Sequence, residues 1–346
     1  MGTVRYILAF GVLISHFNVL CGCHVPWVVS SYFRVGGFFT LSGFVLLGSL
    51  LRGGSAKNFI IRRAWRILPS YFFVVLMAAI GLVVVSELPA ADYFTSSGFW
   101  KYLAANLSFL NFLHPDLPGV FTDLQERAVN GALWTMKVEW QLSLCAPLFV
   151  WLCRRFNWNL VKAALVVIAV SLLYRWIFLE LYIATERSIY EILGRQFVGQ
   201  TLFFFSGIVL YCFYEKLMRR RALYFSIALA IYVPLYLFVN NYYFLILAFP
   251  FLVSALTLTA SLIPGDFAAV IDRGHNISYE IYLCHFPVVQ LVASYGLVAR
   301  IGTVGAFVVC VAGTLAAAVI TYFTVGRMYL RHKPRPVVPE GQNVAV

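Results

Sequence analysis

Long apolar stretches recur along this chain, from the first residues to about Gly326. A helix needs roughly 20 mostly apolar residues to cross a bilayer, and only short polar segments separate these stretches. Hydrophobic residues form 62% of the chain and charged residues 12%, whereas a typical soluble domain contains about 25% charged residues. The sequence therefore predicts one membrane domain, residues 1–326, and a basic, polar tail, residues 327–346, which we expect to be cytoplasmic and disordered.

Basic residues identify the segments predicted to face the cytoplasm. The loop at 52–66 contains five basic residues and no acidic one, which places the connection between the second and third spans on the inside. Alternation from this loop gives about ten transmembrane helices with both termini in the cytoplasm, so the predicted fold is an all-α polytopic membrane bundle. The apolar segment near 99–112 is too short to cross and is predicted to be interfacial or re-entrant. The predicted spans are 4–20, 33–51, 67–86, 133–153, 160–179, 197–214, 222–239, 242–262, 277–296 and 301–326.

The formal net charge of +12 does not indicate a nucleic-acid partner. The basic residues cluster between apolar spans, as the positive-inside rule predicts, instead of covering a soluble face. Membrane lipid is therefore the expected partner of this surface, and nucleic acid is excluded. Nothing in the sequence specifies an oligomeric state.

Four ionisable side chains lie inside predicted spans, where a charged group costs several kcal/mol to insert. Arg5 and His16 share a face of the first span, because eleven residues at about 100° each end about 20° from their start after three turns. Their separation along that helix is roughly 16 Å. Glu139 in the fourth span and His285 in the ninth reach a depth similar to that of His16. Two histidines and a carboxylate at one depth suit proton transfer, so these four residues are the candidate catalytic residues.

Other roles for these four residues are open from the pattern alone. Each side chain could instead hydrogen-bond a neighbouring helix and only hold the bundle together. A metal site is not indicated, because the sequence has neither an H-x-x-x-H pair nor a Cys/His cluster with ligand spacing. For Lys137, Arg175 and Glu280, which also lie near or within spans, a snorkelling side chain or a simple ion pair is the favoured interpretation.

Three arginines, Arg62, Arg63 and Arg66, fall on about one turn of a helix predicted to end at Pro69. Three guanidinium groups this close could clamp phosphates. They could also mark the cytoplasmic side or bind anionic lipid head groups. The spacing by itself does not decide between these roles.

Five sequence motifs resemble those of the acyltransferase-3 integral-membrane acyltransferases, which decorate bacterial surface and exported polysaccharides. Each motif by itself is weak, but the set occurs in the family's order and covers nearly the whole chain. The motifs are Arg5 with His16 eleven residues later, Phe38–Phe44 (FFTLSGF), Arg63–Tyr71 (RAWRILPSY), Trp134–Gln141 (WTMKVEWQ) and Ile277–Pro287 (ISYEIYLCHFP).

The resemblance implies a membrane-bound O-acyltransferase that uses acyl-CoA, with acetyl-CoA the expected donor, as a co-substrate and holds no bound cofactor. It implies that Arg5 and His16 are essential, with His16 as the base, and that Arg63 and Arg66 stand on the donor side. The residues assigned to acyl-CoA binding are Arg62, Arg63, Arg66 and Tyr71, and the other motif residues singled out are Ser42, Gly43, Trp134, Ser278, Tyr279 and Tyr282.

These assignments lead to a hypothesis for the reaction. A cytoplasmic thioester reaches His16, which removes the proton from a hydroxyl of a carbohydrate arriving from outside, or itself accepts the acyl group. Glu139 and His285 would orient or recharge the imidazole. By resemblance, the acceptor is a surface or exported carbohydrate, namely exopolysaccharide, lipopolysaccharide or a lipid-linked oligosaccharide, and the enzyme is a multi-pass protein of the bacterial inner membrane.

The chain departs from the family pattern in two places, and two other functions compete with acyl transfer. Gly36 stands where the family usually carries a polar or acidic residue, and Trp140 and Ser143 replace a usual Glu and Tyr, which shifts weight onto Glu139. The main rival is a transporter or flippase for a glycan or a small anionic metabolite, although the spans show no inverted repeat. A structural subunit of an export machine is the other rival.

Overall fold

The computed structural model describes residues 1–27, 31–52, 55–239, 241, 243–265 and 275–332, and within these ranges it is helical with no β-strand. Short 3₁₀ segments lie at Leu82–Val85, Gly131–Leu133 and Gly326–His332, and a π-helical turn at Phe244–Ala248. The α-helices are α1 (Gly2–Cys21), α2 (Ser31–Leu51), α3 (Ala56–Gly81), α4 (Ala90–Thr95), α5 (Ser97–Leu107), α6 (Trp134–Arg155), α7 (Leu160–Thr185), α8 (Ser188–Gly194), α9 (Phe197–Cys212), α10 (Tyr214–Arg219), α11 (Arg221–Phe238), α12 (Phe249–Leu262), α13 (Ser278–Ser294) and α14 (Leu297–Thr324).

Eight stretches in the described ranges are long and apolar enough to cross a membrane. They coincide with eight of the predicted spans, so the prediction of an all-α polytopic membrane bundle is confirmed. The other two predicted spans, 133–153 and 277–296, correspond to α6 and α13. Helix α13 has only 17 residues, and α6 is less apolar than its neighbours because it carries Lys137 and Glu139. The total of ten spans and the cytoplasmic placement of both termini remain predictions.

The segment near 99–112 folds as a short helix and turns, as expected for a segment that does not cross. Helix α5 has 11 residues, about half of a bilayer-spanning helix. It is fixed against α3 by Tyr71, whose hydroxyl donates to the carbonyl of Asn106 over 2.7 Å. The Tyr71 ring also stacks on Phe109 with centroids 4.4 Å apart.

Helix α3 begins earlier than predicted and does not stop at its proline. The predicted start at residue 67 and the predicted helix end at Pro69 are both wrong, since one helix runs from Ala56 to Gly81 with Pro69 inside it. Ser55 initiates this helix by accepting a hydrogen bond from the Asn58 amide over 3.2 Å. Proline removes one backbone donor but can be accommodated inside a membrane helix. The basic segment and the apolar span that follows it therefore form one continuous helix.

Helices α2 and α9 cross at close range through two glycines. A Cβ on Gly43 would lie 1.9 Å from the carbonyl oxygen of Phe204, and one on Gly207 would lie 2.1 Å from that of Thr40. Small residues are the usual means of bringing membrane helices this close. This crossing fixes the rotation of α2, and hence the direction in which its polar residues point.

The beginning of the predicted tail is ordered. Residues Gly326–His332 form a 3₁₀ helix in which the Tyr329 ring faces the guanidinium of Arg66, with the guanidinium carbon 4.8 Å from the ring centroid. The expectation of disorder is wrong for residues 327–332, because this aromatic contact with α3 holds them. The rest of the predicted tail, 333–346, lies outside the described residues.

Candidate active site

Two histidines from separate helices are in contact: His16 lies near the C-terminal end of α1, and His285 lies in the middle of α13. His16 Nδ1 lies 2.8 Å from His285 Nε2, and the two rings are offset with centroids 5.0 Å apart and planes 22° apart. His285 is fully buried, and His16 is partly exposed to a cavity. The sequence placed these residues at similar depth, and the structure brings them into direct contact.

A backbone carbonyl determines which nitrogens of this pair carry protons. His285 Nδ1 lies 2.7 Å from the carbonyl oxygen of Tyr282, which can only accept, so Nδ1 carries a proton. In a neutral ring His285 Nε2 is then an acceptor, and it receives the proton of His16 Nδ1. This leaves the lone pair on His16 Nε2, which contacts no hydrogen-bonding group among the described residues. The arrangement therefore presents His16 Nε2 as a base.

His16 lines the first of two central cavities, which we call the outer cavity. Its volume is about 180 Å³. Most of its walls come from the end of α1 and the starts of α2, α6 and α9, the helix ends predicted to face outward, and Tyr282 of α13 completes them. The polar and aromatic lining residues are Ser15, His16, Arg34, Trp134, Arg195, Gln200, Phe203 and Tyr282.

Arg34 is a residue of the site that was not predicted from the sequence. It lies at the start of an apolar span, where a basic residue is ordinarily assigned to the membrane interface. In the structure Arg34 is only 5% exposed. It donates to the carbonyl of Gly11 and, over 2.8 Å, to the hydroxyl of Ser15, one position before His16. One sequence signal did point to Arg34: it lies inside the predicted span 33–51, and a charged residue inside a span is a candidate functional residue.

The second central cavity, the inner cavity, contains most of the basic residues predicted for the site. Its volume is about 110 Å³. Arg5, Arg63 and Arg66 line it, from the cytoplasmic ends predicted for α1 and α3. The remaining polar lining residues are Ser42, Thr135, Glu139, Ser278, Tyr279 and Tyr282.

Arg63 is held in the inner cavity by a carboxylate and two hydroxyls. Its guanidinium pairs with Glu139, and it donates to Ser42 Oγ over 3.1 Å and to Ser143 Oγ over 2.9 Å. Ser42 in turn donates to Glu139. Glu139 is thus occupied by Arg63 and Ser42, and the structure does not bring it to His16. The expected contact through which Glu139 would orient the imidazole is absent from the described part of the chain.

Arg66 has a separate acidic partner. It lies 3.1 Å from Glu280, which is fully buried and also accepts from Ser70 Oγ over 3.1 Å. Glu280 therefore forms the simple ion pair favoured by the sequence. Two aromatic rings contact the guanidinium: the guanidinium carbon of Arg66 lies 5.2 Å from the Tyr279 ring centroid and 4.8 Å from that of Tyr329.

The two cavities meet at shared side chains. Val35 and Tyr282 occur in the lining of both. The Tyr282 hydroxyl is 2.7 Å from Thr135 Oγ1, while its carbonyl holds His285, so one residue supports the boundary and the histidine pair. The two cavities are therefore adjacent, with Val35 and Tyr282 between the arginines of the inner cavity and His16 in the outer one.

Several predicted site residues lie elsewhere. Arg62 lines neither cavity, although it lies one helical turn before Arg66 on α3. Tyr71 packs between α3 and α5 and does not reach the inner cavity. Gly43 serves the α2–α9 crossing. The assignment of Arg62 and Tyr71 to the donor site therefore lacks support from the geometry.

The sequence as a whole matches one family model. Residues 2–323 match the model of the acyltransferase-3 family, described as an acyltransferase domain. The chain belongs to the acyltransferase-3 family. It is accordingly a multi-pass membrane acyltransferase, and the transporter and structural-subunit alternatives are set aside.

Two relatives have similar sequences. Nodulation protein 10 of Rhizobium leguminosarum bv. viciae is 25% identical over 321 residues, which cover 86% of this chain and 82% of that protein. The O-acetyl transferase of Shigella phage Sf6 is 28% identical over 142 residues, which cover 40% of this chain and 41% of that protein. No solved structure matches this acyltransferase-3 chain.

Proposed function

We propose that this protein transfers an acyl group, with acetyl as the expected group, from cytoplasmic acyl-CoA to a carbohydrate hydroxyl at the outer side of the bacterial inner membrane. His16 is the proposed general base. The observation that carries the proposal is the hydrogen-bonded series from the Tyr282 carbonyl through His285 to His16, which ends at the wall of the outer cavity.

The proposed reaction is a direct transfer. His16 Nε2 takes the proton of the acceptor hydroxyl as that oxygen attacks the carbonyl carbon of the thioester. The tetrahedral intermediate collapses, the C–S bond breaks, and the coenzyme A thiolate leaves with the proton that His16 carries. The products are an ester and free coenzyme A, and the imidazole is neutral again. His285 is a positioning residue, because its acceptor nitrogen orients the His16 ring.

The inner cavity is the proposed donor site. Arg5, Arg63 and Arg66 give it a cationic wall, as phosphate binding requires. A volume of about 110 Å³ suits part of a narrow pantetheine arm and not a nucleotide, so the donor's phosphates would stay at the mouth beside the arginines. The thioester would then pass Tyr282 toward His16.

The acceptor chemistry is supported by a relative and by the family resemblance. A relative named O-acetyl transferase favours an oxygen acceptor and an acetyl group. The resemblance favours a surface or exported carbohydrate. The outer cavity, with one tryptophan and several hydrogen-bonding side chains, has the lining expected of a site for a sugar.

The direct test is acyl transfer by the purified full-length protein in lipid nanodiscs. Labelled acetyl-CoA is supplied together with glycan extracted from cells in which the gene is disrupted. His16→Ala is expected to lower transfer at least about 100-fold, the usual contribution of a general base. The matched control is His24→Ala, which removes an exposed histidine that lines neither cavity and should transfer at the wild-type rate.

Two results would contradict the proposal in different ways. Wild-type transfer by His16→Ala would remove His16 from the chemistry. Failure of the wild-type protein to label any glycan, with glycan mass unchanged between intact and disrupted cells, would reject carbohydrate acylation itself.

A further inference from the structure

Arg34 is a buried cation whose partners are all neutral. Its guanidinium contacts the Gly11 carbonyl and the Ser15 hydroxyl. No carboxylate in the described ranges lies within ion-pair distance of it, and its Nε has no hydrogen-bond partner there. A buried charge left without a counter-ion is among the costliest features a folded protein can contain.

None of the described side chains that line the outer cavity is acidic. Among the described residues its lining contains a second guanidinium, that of Arg195, whose charge is balanced by an ion pair with Glu191, and no carboxylate side chain. Gln200 is only 4% exposed, its amide donates to the Arg195 carbonyl over 2.9 Å, and its Oε1 has no partner among the described residues. The cavity thus offers a cation, an open acceptor and the indole of Trp134 around one space.

The bonds of Arg34 to α1 do not explain its charge. A neutral donor such as a glutamine amide could bond the Gly11 carbonyl and the Ser15 hydroxyl without the penalty of burying a cation. Gly36, which lines the same cavity, provides no side chain to balance the charge. A ligand that carries negative charge would balance it.

We propose that the outer cavity binds an anionic sugar, whose carboxylate or phosphate oxygens pair with Arg34 while its ring lies against Trp134 and a hydroxyl donates to Gln200 Oε1. This inference rests on the proposed function, since it identifies the class of acceptor that His16 acts on. It adds that the acceptor bears a negative charge on or beside the sugar that is acylated. Charge pairing would place the acceptor hydroxyl beside His16, one position along α1 from Ser15.

The donor does not supply this anion. The phosphates of acyl-CoA belong with the arginines of the inner cavity, and the two cavities meet only where Val35 and Tyr282 line both. A thioester arm passing that boundary is uncharged. The charge for Arg34 must therefore arrive with the acceptor.

The first experiment identifies the natural acceptor. Glycans from cells with and without the intact gene are compared by mass analysis, and the acylated residue is located by fragmentation. We expect the acyl group on, or next to, a residue that bears a carboxylate or phosphate. An acyl group on a glycan with no anion at or beside that residue would overturn this inference and leave the proposed function standing, whereas identical glycans would overturn both.

The second experiment tests Arg34 itself. Unacylated acceptor is used in its native form, after carboxyl reduction, and after removal of phosphate by mild acid. For the wild-type protein, the treatment that removes the recognised anion should raise the acceptor KM at least about 30-fold, as loss of one partner of a buried charge pair does. Which treatment has this effect distinguishes a carboxylate from a phosphate.

The variants then connect this discrimination to one side chain. Arg34→Gln should show equal KM values for native and neutralised acceptor, and Arg34→Lys should retain part of the difference. Arg300→Gln, which removes an exposed arginine from α14, is the matched control and should behave as wild type. Equal KM values for all three acceptor forms in the wild-type protein would overturn the inference even if Arg34→Gln did not fold.

Discussion

The inner and outer cavities both contain buried arginines, but their charge is balanced differently. In the inner cavity Arg63 pairs with Glu139 and Arg66 with Glu280. In the outer cavity the described partners of Arg34 are a carbonyl and a hydroxyl, and both are neutral. The two cavities lie against the same residue, Tyr282, so the contrast is between adjacent sites.

The contrast indicates two ways of binding an anion. A pre-formed ion pair is satisfied without ligand, so the phosphates of the proposed donor would have to compete with Glu139 and Glu280 for the arginines. A buried arginine with neutral partners lowers the folding stability of the unliganded protein, and an anionic ligand would supply its counter-ion. The inner cavity should therefore be the more stable part of the unliganded protein, and the outer cavity the part that ligand stabilises more.

The largest expected effect is a difference in stability between equivalent arginine substitutions. Arg63→Met leaves Glu139 buried without its ion-pair partner, so it should destabilise the protein by about 3 kcal/mol. Arg34→Met removes a charge that had no counter-ion, so its unfolding free energy should stay within about 1 kcal/mol of wild type or rise. Thermal unfolding of both variants in nanodiscs, without substrates, measures the difference.

A double substitution checks the cause of that difference. Adding Glu139→Gln to Arg63→Met removes the unpaired carboxylate and should restore most of the lost stability. Equal losses for Arg63→Met and Arg34→Met would show that the two cavities do not differ in charge balance.

The next effect concerns the histidine pair at the boundary between the cavities. His285→Phe keeps a ring of similar shape but removes the nitrogen that accepts from His16, so the His16 tautomer is no longer fixed. We expect kcat to fall about 100-fold, with the KM of donor and acceptor unchanged. His275→Phe is the matched control, because this exposed histidine lines neither cavity and its replacement should leave kcat unchanged. A larger effect on KM than on kcat would give His285 a binding role instead.

The bundle and most of the polar residues lining the inner cavity could be predicted from the sequence, but few of those lining the outer cavity could. Apolar length identified the spans because a bilayer imposes that length on every crossing helix. Helical periodicity placed Arg5 and His16 on one face, and residue counting placed His285 at the depth of His16. Those inferences depend on position along a helix axis, which the sequence determines directly.

Partner choice could not be predicted, because it depends on the rotation of one helix against another. Glu139 and His285 have similar depths, yet His285 reaches His16 while Glu139 reaches Arg63. That rotation is set by packing, such as the crossing of α2 and α9 at Gly43, which has no signature in hydropathy. Arg34 was missed for a related reason, since its proximity to a span end concealed its burial.

A smaller effect separates two arginines that are close in sequence. Arg66 lines the inner cavity and Arg62 does not. Arg66→Ala should therefore raise the KM for the proposed acyl-CoA donor about 10-fold, as expected for loss of one hydrogen bond to a charged group. Arg62→Ala should leave that KM unchanged, and the acceptor KM should not change in either variant. Equal effects of the two substitutions would mean that the arginines act only as a general positive field.

The smallest expected effect tests whether the start of the C-terminal segment supports the inner cavity. Tyr329→Leu keeps an apolar side chain but removes the ring that faces Arg66. A cation–π contact of this kind contributes about 0.5–1 kcal/mol, so the donor KM should rise about two- to fivefold while the acceptor KM and kcat stay constant. Because Arg66 keeps both Glu280 and Tyr279 in this variant, a loss as large as that of Arg66→Ala would show that Tyr329 contacts the donor directly. A change confined to the acceptor KM would instead show that the two cavities are not independent binding sites, and the contrast between them would lose its basis.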